Sequence, residues 1–218
     1  IEDYSAEMSD DFRADKIVQI MLEYENQLKR SNAMDFDDLI VKTVALFKEH
    51  SGVLEYYQYM FQYIMVDEYQ DTNYTQYMLI KMLSEVHKNL CVVGDDDQSI
   101  YGWRGADIRN ILEFEKDFPN AYIIKLEQNY RSTSNILGAA NSVIANNFER
   151  KEKKLWTEAE KGDKIRVECL HDEKHEAMFI AQEIHRQCDH GKSFSDFAVL
   201  YRYNAQSRII EEIFRRYD

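Results

Sequence analysis

Two acidic residues pose the chemical question first. Asp67 and Glu68 follow directly on the apolar run Ile64-Met65-Val66, and Tyr69-Gln70-Asp71-Thr72 continues the polar stretch. An apolar run that stops abruptly in carboxylates reads as a buried strand emerging from a sheet, and in open α/β sheets ligands lie outside the carboxyl ends of the strands. Side chains diverge where a strand ends, so neighbouring carboxylates can take separate tasks. One can hold a magnesium ion while the other orients an attacking water. The alternative for the same pair is helix capping, in which both do no more than accept free amides of the next helix.

A second apolar run, Leu90 to Val93, ends in Gly94-Asp95-Asp96-Asp97-Gln98-Ser99-Ile100-Tyr101-Gly102-Trp103-Arg104-Gly105-Ala106. If the two strands are neighbours, the turn brings the Gln98 amide close to the first tip, where it can sense a terminal phosphate without adding charge. Tyr101 and Trp103 offer flat faces and Arg104 a cation, a set suited to stacking on unpaired bases at roughly 1–3 kcal/mol per base. The alternative is an Asp-rich turn followed by aromatic core anchors. Farther on, Gln128-Asn129-Tyr130-Arg131-Ser132 places an arginine at a candidate domain junction. It can neutralise charge on a nucleotide held by the preceding unit, or it can serve a structural salt bridge.

These segments need elements to hold them. Ile17, Ile20, Met21, Tyr24 and Leu28 recur at helical spacing and predict a helix from Arg13 to Arg30. A second is predicted over Phe36 to Glu49, capped by Asp35 with Asp38 in its first turn. Phe61 to Val66, Leu90 to Val93 and Ala121 to Leu126 read as strands separated by helix-patterned segments, which implies a parallel sheet with crossover helices. Ile108, Ile111, Leu112 and Phe118 predict a helix stopped by Pro119, and Ser132 or Thr133 can cap another through Ile144. A second α/β unit follows as strand Lys164 to Leu170, helix Glu173 to Gln187, strand Asp196 to Tyr201 and helix Ala205 to Arg216, with the boundary near Glu127 to Ser132.

Composition narrows the classes. With 218 residues, 44% hydrophobic and 31% charged, the chain suits one large domain or parts of two, and no apolar run has the length of a membrane span. Lys and Arg number 27 against 40 Asp and Glu, a net charge of −13 that opposes any diffuse electrostatic grip on nucleic acid and confines such contact to local features. Cys91, Cys169 and Cys188 form no paired motif, so a reducing, cytoplasmic setting is expected. The opening Ile1-Glu2-Asp3-Tyr4 carries no initiator Met and no leader pattern, and an internal piece of a longer protein is expected. Gly191-Lys192-Ser193 imitates a phosphate loop, but Arg186 stands where its first glycine belongs. His171 and His175 lack a third ligand and read as a solvated helix start. The run Tyr56 to Tyr63 reads as a helix end packed on the sheet, and Arg150, Lys151, Lys153 and Lys154 as a solvated face that can touch a phosphate backbone.

Taken together and in this order, Asp67-Glu68-Tyr69-Gln70-Asp71-Thr72, the Gly94 to Ala106 segment and Asn129-Tyr130-Arg131-Ser132 resemble superfamily 1 DNA helicases of the UvrD/Rep/PcrA type. The resemblance extends upstream to Asp35-Phe36-Asp37-Asp38-Leu39. Downstream it takes in Ala198-Val199-Leu200-Tyr201-Arg202 and Asn204-Ala205-Gln206-Ser207-Arg208, and so spans nearly the whole chain. It implies an α/β fold of RecA-like parallel sheets with crossover helices, as parts of two RecA-like domains plus a short helical segment. Residues 1–34 would end an inserted helical domain, 35–127 form the second half of the first RecA-like ATPase domain, and 128–218 begin the second. ATP and Mg2+ would sit between the domains, and single-stranded DNA or a junction of single and double strands would move across their tops in the 3′ to 5′ direction, in repair or replication.

By position, the resemblance gives Asp67 the magnesium and Glu68 the hydrolytic water. Gln98 would contact the terminal phosphate, Arg131 would stabilise the transition state, Tyr130 would stack on adenine, and Tyr101, Trp103 and Arg104 would meet single-stranded DNA. No Gly-x-x-x-x-Gly-Lys-(Ser/Thr) occurs in the chain, so these 218 residues alone are expected not to turn over ATP. Two other classes compete with this reading. One is a non-catalytic module that binds DNA or a protein; the other is a metal-dependent nuclease using Asp67, Glu68 and Asp95 to Asp97 around two ions.

Overall fold

The computed structural model describes residues 12–148 and 150–217, and the chain separates into two compact units, one reaching to Glu160 and one starting at Lys161. Helix α1 of the first unit spans Phe12–Arg30, close to the range predicted by its spacing. Ala14 is buried, yet Ile17, Ile20, Met21 and Tyr24 are exposed among the described residues, so the apolar face forms without being covered. Helix α2, Phe36–Glu49, starts at a reciprocal cap: Asp35 Oδ1 accepts the Asp38 amide at 2.8 Å and Asp38 Oδ2 accepts the Asp35 amide at 3.3 Å. Helix α3, Ser51–Met60, packs on it through Tyr57 against buried Phe47, ring centroids 5.7 Å apart. Of the aromatic run, Tyr56, Tyr59 and Tyr63 stay exposed.

Strand β1, Ile64–Val66, leads through a single helical turn at Tyr69–Asp71 into helix α4, Tyr74–Ser84, and strand β2, Leu90–Val92, returns parallel to β1. Their register pairs Ile64 with Leu90 and Val66 with Val92. Two further backbone bonds, Val93 N to Val66 O at 2.8 Å and Tyr69 N to Val93 O at 3.0 Å, carry the pairing to the tips. Both tips therefore emerge side by side, the arrangement that the argument about Gln98 required.

Among the described residues the sheet has these two strands alone. Ala121 to Leu126, Lys164 to Leu170 and Asp196 to Tyr201, predicted as strands, join no ladder. Tyr122, Ile124, Leu126, Val167 and Leu200 are exposed. Apolar pattern marks a segment that can be a strand, whereas the strand itself needs a neighbour's amides and carbonyls in register, and among the described residues none pairs with these segments in a ladder. The helix predicted before Pro119 is split as well. It forms α5, Arg109–Leu112, and α6, Phe114–Asp117, with Glu113 between them at φ −100° and ψ 9°. Helix α7, Ser134–Ile144, starts after Thr133, whose side chain makes no capping bond. Residues 128–160 group with the first unit, tied to the β2 tip by ion pairs described below.

In the second unit helix α8, Glu173–Cys188, starts at Asp172, which accepts the amides of Lys174 and His175. It packs on helix α9, Asn204–Phe214. Buried Ala177 and Ala181 leave room for Ile213 at the centre of that contact. His175 Nδ1 lies 2.8 Å from Asp172, in agreement with a helix start rather than a metal site. No helix among the described residues is long and apolar enough to cross a membrane.

Candidate functional site

The β1 tip presents Asp67 and Glu68, both exposed. Glu68 has left-handed backbone, φ 50° and ψ 43°, a conformation that costs a residue with a side chain on the order of 1 kcal/mol and persists where surrounding bonds enforce it. The Glu68 amide donates to Asp67 Oδ1 at 2.9 Å. Neither carboxylate caps α4; that task falls to Asn73, which exchanges side-chain and backbone bonds with Gln76. The capping alternative is thereby removed.

Behind the carboxylates lies Gln70, 1% exposed. Its Nε2 donates to Glu68 Oε2 at 2.7 Å and its Oε1 accepts the Asp95 amide at 2.9 Å. Gly94 makes that approach possible, because a Cβ there would stand 2.5 Å from Gln70 Oε1 and 2.8 Å from Ile111 Cδ1. In the turn Asp96–Gln98, Asp95 Oδ1 accepts the Asp97 amide at 3.0 Å and Oδ2 accepts from Gln98 Nε2 at 2.6 Å. A continuous hydrogen-bonded chain thus runs from Glu68 through Gln70 and Asp95 to Gln98. Thr72 extends the link, its carbonyl accepting from Asp107 N and Asn110 Nδ2, each at 3.0 Å. Burial against Phe114 pushes the Tyr69 hydroxyl pKa up to about 12, so it stays neutral in this wall.

Tyr101, Trp103 and Arg104 surround a single turn, Gly102–Arg104, closed by Gly105 at φ 86°. The Arg104 guanidinium lies 4.5 Å from the Trp103 ring centroid and 5.4 Å from that of Tyr101. Trp103 is 73% exposed, so the core-anchor alternative does not hold for it. The arrangement is a cation-backed aromatic platform facing solvent.

Asn129 Oδ1 accepts the amides of Arg131 and Ser132 at 3.0 and 2.8 Å, which shapes the turn that carries Tyr130 and Arg131. Tyr130 is exposed, its hydroxyl bonded to Gln128 Oε1 at 2.7 Å. Among the described residues no hydrogen bond or ion pair engages the Arg131 guanidinium, and none joins it to Asp67 or Glu68. The structural salt bridge foreseen as the alternative is not formed.

The basic run at Arg150 to Lys154 departs from its reading as a solvated face. Arg150 grips Asp97 with two bonds, Nε to Oδ1 at 2.8 Å and Nη2 to Oδ2 at 2.7 Å. Lys151 N donates to Asp96 Oδ2 at 2.7 Å, and the Lys153 ammonium reaches Asp95, Asp96 at 2.8 Å and Asp97 at 3.4 Å. Burial raises the cost of charge on Asp95, but the bonds from Lys153 and Gln98 outweigh it and hold the carboxyl below its ordinary range. Lys153 loses hydration too, and its bonds to Asp95 and Asp96 hold it above the usual lysine range. Lys153 stands among the three carboxylates, the position an ion ligated by all three would take, which weakens the two-metal nuclease reading. The signal for this clasp was two short runs of opposite charge, legible as complementary only once the fold brings them together.

Comparison with known proteins gives the family. Residues 2–119 match the family model described as the UvrD/REP helicase N-terminal domain, and residues 124–218 match the UvrD-like helicase C-terminal domain. The chain belongs to the UvrD/Rep helicase family. It is 56% identical over 206 residues to an "ATP-dependent DNA helicase PcrA" of Staphylococcus aureus (strain Mu50), covering 94% of this chain and 28% of that protein. A protein of the same name from Staphylococcus epidermidis (strain RP62A) is 55% identical over 208 residues, again with 28% of its length covered. The chain spans less than a third of the length of these UvrD/Rep relatives.

Proposed function

We propose that the chain is a segment of an ATP-dependent DNA helicase that moves 3′ to 5′ on single-stranded DNA and opens duplex at junctions, in repair or replication. The observation that carries the reading is the pair of parallel strand tips, one bearing exposed Asp67 and Glu68 and the other leading to the solvent-facing platform of Tyr101, Trp103 and Arg104, in a chain of the UvrD/Rep family. The first tip is the hydrolytic end and the platform the strand-contacting end.

Residues 1–34 are proposed as the end of an inserted helical domain, 35–127 as the back half of a first RecA-like domain and 128–218 as the front of a second. The donor set fits a magnesium nucleotide: Asp67 is exposed, commits Oδ1 to the Glu68 amide, and offers the hard oxygen that magnesium takes alongside phosphates and waters. The bound ion with ATP supplies charge neutralisation at the terminal phosphate. Glu68 takes the proton of the attacking water and orients its lone pair. Gln98 contacts the phosphate side of the site, and Tyr130 stacks on the base. The Arg131 guanidinium, which makes no hydrogen bond or ion pair among the described residues, meets developing negative charge. The phosphate-loop glycines and lysine are not among these residues, so the 218-residue chain alone is proposed not to hydrolyse ATP.

In a whole helicase carrying this chain, Glu68→Gln is expected to keep nucleotide binding and lower turnover by about 10²–10⁴-fold, the usual span of a general base. Unchanged turnover, measured as phosphate release with saturating single-stranded DNA, removes Glu68 from that role.

A further inference from the structure

The buried amide behind the acidic tip carries a role that neither strand tip supplies by itself. We propose that Gln70 is a positioning residue: it holds Glu68 in the pose that orients water and ties that pose to the position of the β2 tip. The inference rests on the reading of Glu68 as the water-orienting carboxylate.

Glu68 is exposed, and an exposed glutamate ordinarily wanders among rotamers, with its reacting oxygen out of place for much of the time. Here one carboxylate oxygen, Oε2, is held at 2.7 Å by a donor that is itself 1% exposed and so cannot wander. The other end of the same amide takes the Asp95 backbone N–H at 2.9 Å. Only a side chain with a donor and an acceptor at that length can make both bonds at once. Glutamate would face Glu68 with a second carboxylate, and methionine would fill the space with neither group. The absence of a Cβ at Gly94 keeps the space for the amide oxygen, which any larger residue would enter. Asp95 also accepts from Gln98 and opens the loop that continues to Tyr101 and Trp103. Ser99 Oγ adds a longer bond to the Gln70 carbonyl at 3.4 Å. A shift of the β2 tip on engagement of DNA or phosphate therefore pulls on Gln70 Oε1, and through its amide on Glu68.

The test uses a whole helicase that carries this chain, as wild type, Glu68→Gln, Gln70→Met, Gln70→Glu and the Glu68→Gln/Gln70→Met double variant. Steady-state and single-turnover ATP hydrolysis are read with and without a saturating single-stranded oligonucleotide, together with nucleotide affinity and thermal midpoint. A positioning role predicts that Gln70→Met lowers kcat by about 10–100-fold, the cost of a misplaced reacting group, while KM for ATP and oligonucleotide affinity stay within about twofold. Gln70→Glu, which keeps an acceptor for Asp95 N–H and loses the donor to Glu68, should fall as far. In the Glu68→Gln background the Gln70 substitution should cost nothing further, because the group it serves is already gone. The inference is overturned if Glu68→Gln abolishes turnover while Gln70→Met keeps a wild-type kcat. It is equally overturned if the Gln70 loss multiplies that of Glu68→Gln, since the residue then acts on the fold. If Glu68→Gln itself turns over normally, the underlying reading of Glu68 fails and this inference fails with it.

Discussion

Lys153 shows how much one side chain can decide. Its ammonium is largely buried and touches three carboxylates, so substitution by methionine leaves Asp95 and Asp96 without a cation in a setting where water reaches them poorly. Removing one partner of such a pair costs more than an exposed ion pair is worth, and Lys153→Met is expected to destabilise the chain by about 1–3 kcal/mol in urea unfolding. The acid limb of stability follows from the same contact. Because the folded Asp95 carboxyl is held below its ordinary value, its contribution is present above about pH 4 and is lost as pH falls through the depressed folded value. The stability deficit of Lys153→Met, read by urea unfolding across pH, should therefore be full above about pH 4 and shrink as pH falls below it. A deficit that stays constant through that range would mean that the Asp95 ion pair is not its source.

At the scale of elements, the two parallel strands are short, three residues each, and their tips are fastened by what surrounds them. Helix α4 begins at a reciprocal cap in which Asn73 accepts the Gln76 amide and Gln76 accepts the Asn73 amide, both at 2.9 Å. That cap fixes where the chain turns after Thr72, and so where the acidic tip can point. Asn73→Ala is expected to cost about 1 kcal/mol, read as a lower thermal midpoint, whereas Asn73→Asp should retain most of the stability. In the second unit, α8 and α9 approach closely because Ala177 and Ala181 are small. Ala181→Leu should overpack that contact and cost about 1–3 kcal/mol.

For the whole molecule, the net charge of −13 sets the terms on which it can meet a polyanion. Long-range attraction is absent, and the nearby cations Arg150 and Lys153 are committed to aspartates. On the proposed function, the affinity that this chain contributes toward single-stranded DNA comes mainly from local stacking at the platform. Trp103→Ala in a helicase carrying the chain should weaken oligonucleotide binding by about 1–3 kcal/mol while leaving the dependence on salt concentration nearly unchanged. Unaltered oligonucleotide affinity would remove Trp103 from the strand-contacting role. Membership of the UvrD/Rep family was legible as a resemblance carried by Asp67-Glu68, the Gly94 to Ala106 segment and Asn129 to Ser132 taken together and in order, since any one of them alone is a weak signal.

Local signals spoke for themselves. The α2 range and its Asp35 cap, the two strands ending at Val66 and near Val93, and helices α8 and α9 were readable because capping and periodicity depend on residues only a few positions apart. Tertiary structure alone could decide which extended segments find a partner, leaving Ala121 to Leu126 outside any ladder despite its apolar pattern. It alone joined Arg150 and Lys153 to Asp95 to Asp97, and Glu68 to the β2 tip through a buried glutamine. Ladders, ion pairs and amide bridges depend on what stands across a gap in space, and distance along the chain carries no record of that.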